Sequence, residues 1–182
     1  MLDIKTRFKD WLPLAQLARF KMERFSRPSQ VADIKTPSNL FGLTLGQLIT
    51  LSELPDNDDS FYTVCEAVMG LGRTQVDEAR AVDVVRLVGW VSGEVGKIAK
   101  MFKNADYNKP TPSEIKAGIK DVNFGLFGML DWFALRMGIE DHDKVLQFPW
   151  IRIYKCLDMD NQKRAFEVRL QKIQAEEMRR QR

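Results

Sequence analysis

His142 is the only histidine in the chain, and it stands between Asp141 and Asp143. An imidazole beside carboxylates can bind a metal ion or shuttle a proton. Three consecutive side chains cannot converge on one ion, however, and no second His or Cys cluster is present to complete a shell, so the expected role here is a helix cap supplied by Asp141. The acidic cluster Asp56, Asp58 and Asp59 and the pair Asp158 and Asp160 raise the question of calcium. Position six counted from Asp158 is Lys163, where a calcium loop needs glycine, and these carboxylates read as turn and cap residues. Gly70-Leu71-Gly72-Arg73 and Phe124-Gly125-Leu126-Phe127-Gly128 supply glycines without the preceding strand that a phosphate-binding loop requires. Cys65 and Cys156 each lie in an apolar helical pattern, as buried thiols of a reducing compartment do. The expectation is a protein with no catalytic residues, no metal and no cofactor. An enzyme remains the competing class only through carboxylates that folding alone would bring together.

The residues best suited to recognition lie near the N-terminus. Between Asp3 and Thr36 eight basic side chains face four acidic ones, and Phe8, Trp11, Leu12, Leu14, Leu17, Phe20 and Phe25 are interleaved with them. A segment both cationic and apolar must dock its apolar side on its own body, another protein, a lipid surface or nucleic acid. Pro13 interrupts the continuous face that a lipid-binding helix prefers, and the acidic residues weaken a phosphate-binding reading. Docking to protein is the first expectation, with Lys5, Arg7, Phe8, Lys9, Trp11, Leu12 and Phe20 as contact residues; nucleic-acid binding by the same basic arm is the alternative. Aromatic residues also gather near the C-terminal third, where Phe148, Trp150 and Tyr154 are candidate anchors set against an ordinary core role.

The elements that must hold these residues are helical. Ala81, Val84, Val88, Val91, Val95, Ile98 and Phe102 recur at spacings of three and four, predicting one helix from about Val76 to Lys103. Val85, Gly89, Ser92 and Gly96 form a strip of mostly small residues beside that stripe, suited to close approach of another helix. Thr111-Pro112-Ser113-Glu114 marks a capping box and a first-turn proline, predicting a second long helix through Ile115, Ile119, Val122, Leu126, Met129 and Phe133 to a stop at Gly138. The turn at 104–110 would make the two an antiparallel pair. Shorter helices are predicted at Thr44–Leu54, Ser60–Leu71, from Asp141 to Phe148 and at Trp150–Leu157. A last helix should run from Asp158 or Asp160 to about Arg180, with Phe166, Leu170 and Ile173 inward. No run of period two is long enough for a sheet.

The 182 residues, 45% hydrophobic, suffice for one core and an appendage. The expected division is an N-terminal arm and linker over residues 1–38 and a helical body over 39–182, with the body folding without the arm. The net charge of +3 is unevenly spread: +4 before Pro37, −5 from there to Ala99 and +4 beyond. Complementary faces of this kind favour contact between partners or copies. Neither a membrane span nor a signal peptide is expected, since charged residues interrupt the most apolar stretch and the N-terminal segment alike.

Two segments, Phe41-Gly-Leu-Thr-Leu-Gly-Gln-Leu-Ile-Thr-Leu-Ser-Glu-Leu54 and Val145-Leu-Gln-Phe-Pro-Trp-Ile-Arg-Ile-Tyr-Lys-Cys-Leu157, flank a helical middle and precede a charged helix. In this the chain resembles small helical proteins encoded among the virion-assembly genes of tailed bacteriophages. It is most similar to those of phages infecting Bacteroides-type hosts, including tail-assembly-chaperone-like and crAss-like structural proteins. The resemblance implies a non-enzymatic protein that contacts other virion or assembly proteins, or further copies of itself. It also implies a place in the host cytoplasm during assembly and in the particle. The resemblance carries no functional residues with it.

Overall fold

A computed structural model of the chain describes residues 5–18, 26–105 and 110–180. The fold is mostly all-α, and the chain divides into two compact units, Met1–Ala99 and Lys100–Arg182.

The first unit begins with α1 (Phe8–Ala18), followed by a minimal hairpin of β1 (Gln30–Val31) and β2 (Ile34–Lys35). The hairpin turns on Ala32 and Asp33, with φ of 47° and 63°. Two left-handed residues in succession suit the twist of paired strands, at a cost of roughly 1–2 kcal/mol each for side chains other than glycine. The side chain of Arg27 straps this region by donating to the carbonyls of Thr36 and Pro37, at 3.1 and 3.0 Å. Next come α2 (Leu45–Ser52), α3 (Asp59–Met69) and α4 (Arg73–Glu78). The predicted start of α2 is observed: Gln47 N–H donates to Thr44 Oγ1 at 3.1 Å, and Thr44 N–H donates to Gln47 Oε1 at 2.9 Å. The same Gln47 donates its amide to the carbonyl of Ala67, tying α2 to α3.

The long helix expected from Val76 is interrupted. It appears as α4 and then α5 (Ala81–Asn104), with Ala79 extended at φ −68° and ψ 159°. The cause is tertiary. Phe8 N–H donates to the Ala79 carbonyl at 2.8 Å, and Ala81 N–H donates to the Thr6 carbonyl at 2.8 Å. The incoming N-terminal backbone thus satisfies groups that a continuous helix would have used. Beyond the break, the stripe from Ala81 to Ile98 is buried as its spacing requires. The adjoining small-residue strip is only half covered: Val85 and Gly89 are buried, whereas Ser92 and Gly96 are exposed, and a Cβ on Gly96 would meet nothing within 4 Å.

The second unit is built from the end of α5, α6 (Pro112–Lys116), a 3₁₀ turn at Ile119–Asp121, α7 (Gly125–Met137), α8 (His142–Leu146) and α9 (Trp150–Arg180). The single helix expected from Thr111 to Met137 is thus in three pieces. Its capping box forms, with Thr111 Oγ1 accepting from Glu114 N–H at 3.2 Å, but Gly118 and Gly125 then take φ of 81° and 53° and end the helical path. Gly138 closes α7 in the left-handed conformation, as expected. The two helices expected beyond Pro149 are instead one, α9, because Asp158 and Asp160 do not cap: Asp158 accepts from the Gln162 amide at 2.8 Å within the helix, and Asp160 pairs with Arg136. The core gathers Phe133, Val145, Trp150 and Ile153. Rings pack at 5.5 Å between Phe133 and Phe148, and at 5.4 Å between Phe102 and Tyr154. Asn161 donates to the Ala105 carbonyl at 2.9 Å, fixing the first part of α9.

Candidate functional site

The groups with chemical potential are occupied structurally. Asp141 accepts from the backbone N–H of Asp143 at 2.9 Å and caps α8. His142 turns its Nε2 to Asp131 at 3.3 Å, with its ring 5.1 Å from that of Phe127. Asp59 pairs with Arg73. No group of three or more metal-ligating side chains occurs among the described residues. Cys65 is buried, and burial pushes its thiol from 9.0 to about 12, so it is protonated and inert at neutral pH. An open cleft of about 510 Å³ lies between residues 37–43 and the facing sides of α2 and α3. None of its lining residues is an acid or base, and its polar side chains are committed locally: Asn39 accepts from Phe41 N–H and donates to Ser38.

The N-terminal candidates do not form a free docking face. Phe8 is 0% exposed and Trp11 is buried. Phe8 lies 5.2 Å from the ring of Phe61 and edge-on to Tyr62 at 5.7 Å, and Trp11 meets Phe61 at 5.9 Å. Arg7 and Lys9 both pair with Glu78, at 2.7 and 2.5 Å. The hydrogen bond from Lys9, with the charges of Arg7 and Lys9, holds the Glu78 carboxyl below the usual carboxylate range. Leu12 is half-buried and Lys5 exposed. Phe20 lies outside the described residues. Phe8 and Trp11 are therefore buried on the protein's own body, because α3 offers the aromatic wall on which they pack. Nor does Pro13 divide the segment, since it lies inside α1.

The C-terminal candidates separate similarly. Trp150 is fully buried and belongs to the core of the second unit. Phe148 and Tyr154 are half-buried, their rings engaged with Phe133 and Phe102, and Arg152 stacks over Phe148 at 5.4 Å.

Exposed apolar side chains lie elsewhere in the second unit, several of them at positions whose spacing predicts an inward stripe. Around the two left-handed glycines, Ile115, Ile119, Val122 and Leu126 are exposed, with Phe124 and Phe127 at 75% and 64%. Gly128 permits this arrangement, since a Cβ there would stand 2.5 Å from Cβ of Phe124. On α9, Phe166, Leu170 and Ile173 are 56%, 40% and 54% exposed, so their common face points outward, not inward. Periodicity had placed these residues on one face correctly but could not show what covers it. The one available signal was local: two phenylalanines set among Gly118, Gly125 and Gly128 are poorly placed to continue a packed helix.

The fold and these surfaces define a mostly all-α protein in which most of the exposed large apolar side chains among the described residues lie on the second unit, with Ile34 and Phe41 exposed on the first. No protein-family model, curated protein or solved structure matches the chain. No helix among the described residues is long and apolar enough to cross a membrane.

Proposed function

We propose that the chain is a non-enzymatic structural or assembly protein acting through protein–protein contacts, in the manner of the tailed-phage virion-assembly proteins its sequence resembles. The observation that carries this reading is the exposed pair Phe124 and Phe127 within the apolar segment Ile115–Phe127. Several exposed apolar side chains within one short segment of a well-charged protein favour a contact site, and aromatic side chains are the usual anchors of such sites. The proposed contact surface is thus the glycine-broken segment that leads into the first turn of α7, not the N-terminal segment. Nucleic-acid binding is less favoured, because Arg7 and Lys9, two cations on which it would draw, are already paired with Glu78.

The test is co-expression of the full chain with the proteins encoded beside its gene, comparing wild type with the doubly substituted Phe124→Ser, Phe127→Ser variant. The expected result is a stable complex that survives moderate salt and is lost in the variant while helix content is unchanged. Equal capture by both chains, or recovery of nucleic acid that salt displaces, would overturn the reading.

A further inference from the structure

From Arg169 to Arg180 every residue of α9 is exposed. This stretch continues a helix whose first part is packed, so its helical form does not by itself require a cover. The second half of α9, from Met159 onward, nevertheless carries an apolar seam. At about 100° per residue, Met159, Phe166, Leu170 and Ile173 fall within an arc of roughly 60°, and all four are exposed. The charges beside the seam are ordered as well. Arg169 and Glu176 lie on one flank, one heptad apart, and Glu167 and Gln174 lie on the other.

We infer that this seam is occupied by the same seam of a second copy of the chain, running antiparallel, so that α9 forms a two-helix homodimer contact. The charge pattern selects the occupant and the direction. In an antiparallel pair related by a two-fold axis, each flank faces its own equivalent. With the axis between Gln171 and Lys172, Leu170 of each copy packs on Ile173 of the other and Phe166 lies along the aliphatic stem of Glu177, while Met159 stands beyond the overlap. The same register sets Arg169 against Glu176 twice, and Glu167 against Gln174 twice. Lys163 and Arg180 meet at the two ends, where long side chains reach water, and Lys163 there adjoins the layer holding Glu177. A parallel pair would instead place Lys163 on Lys163 and Glu177 on Glu177 within the seam. Moving the antiparallel axis half a heptad toward the N-terminus would oppose Arg169 to Arg169 and Glu167 to Glu167. Repulsion therefore disfavours both alternatives.

The inference rests on the reading of the protein as one that works by contact, but it uses a surface separate from Phe124 and Phe127. Sedimentation equilibrium of the full chain over a concentration series tests it, with circular dichroism confirming equal helix content in each variant. Wild type should dimerise, and Leu170→Glu should be monomeric. Arg169→Glu alone, and Glu176→Arg alone, should each weaken the dimer roughly tenfold or more, because two attractive pairs become two repulsive ones. Arg169→Glu combined with Glu176→Arg should restore it. These two residues stand seven apart on one helix and cannot rescue each other within a monomer. A monomeric wild type, single reversals without effect, or a double variant that fails to recover would each overturn the inference. Dimer formation that survives Phe124→Ser with Phe127→Ser while partner capture is lost would uphold both readings. A monomeric wild type that still captures its partner would remove only this one.

Discussion

Phe8 donates its backbone N–H to the carbonyl of Ala79 across 2.8 Å while its ring lies edge-on to Tyr62. One residue near the N-terminus thus closes the gap between α4 and α5 and fills the aromatic wall of α3.

Phe8→Ala should therefore destabilise the protein by about 3–5 kcal/mol, the usual cost of emptying a buried phenylalanine site. Removal of residues 1–12 should do at least as much damage, since it also orphans the N–H of Ala81. Urea denaturation followed by circular dichroism checks both. A deletion variant as stable as the full chain would return the segment to the separable role that its composition suggested.

Tyr62 and Cys65 give the first unit a sensitivity to alkali. Burial, reinforced by the hydrogen bond to Asp77 at 2.7 Å, pushes the Tyr62 hydroxyl from 10.0 to about 12, and burial alone pushes the Cys65 thiol from 9.0 to about 12. Both folded values lie above the unfolded ones, and in both cases the neutral form is the protonated one. Their contribution is fully present below the unfolded values and is lost as the pH rises toward 12. Urea midpoints should accordingly hold steady to about pH 9 and fall beyond it, less steeply in a Tyr62→Phe variant. A maleimide at neutral pH should modify the half-buried Cys156 and spare Cys65.

Gly96 and Gly128 should respond in opposite senses to alanine. Gly96 is a helical residue with open space at its Cβ position, so Gly96→Ala should stabilise by about 0.5–1 kcal/mol. Gly128→Ala drives a methyl into the Cβ of Phe124 and should destabilise or reshape the start of α7. Thermal melts of the two variants, shifted in opposite directions, are the expected result.

Trp150→Ala should cost the second unit about 3–5 kcal/mol by opening a cavity beside Phe102, whose ring lies 6.1 Å away. Tyr154→Phe, which keeps the ring against Phe102, should be nearly silent. Paired denaturation curves distinguish this core role from the partner-anchor role considered for both residues.

Features fixed by neighbouring residues were legible in the sequence. Thr44, Thr111 with Glu114, Asp141 and Gly138 mark element ends through bonds made within a few positions, and each stands at the end its residue type implies. The break at Ala79 was not legible, because it depends on backbone groups of Thr6 and Phe8 more than seventy positions away. The interruption at Gly118 and Gly125 was legible in principle, but the spacing of Ile115, Ile119 and Val122 imitated a stripe that tertiary burial did not reward. The candidate surface failed for a related reason. Phe8 and Phe124 are equivalent by composition, and only the presence of a facing wall separates a core residue from an exposed one.

The continuity of α9 past Ala165 has a mechanical consequence. A flexible tail would let its apolar residues turn toward any neighbour, whereas a helix fixes their azimuth relative to Trp150 at about 100° per residue. What this segment touches should then depend on phase more than on length. Excising seven residues between Trp150 and Phe166 would return the outward face to nearly its original direction, about 10 Å closer in, whereas excising two would swing it by about 200° to the far side.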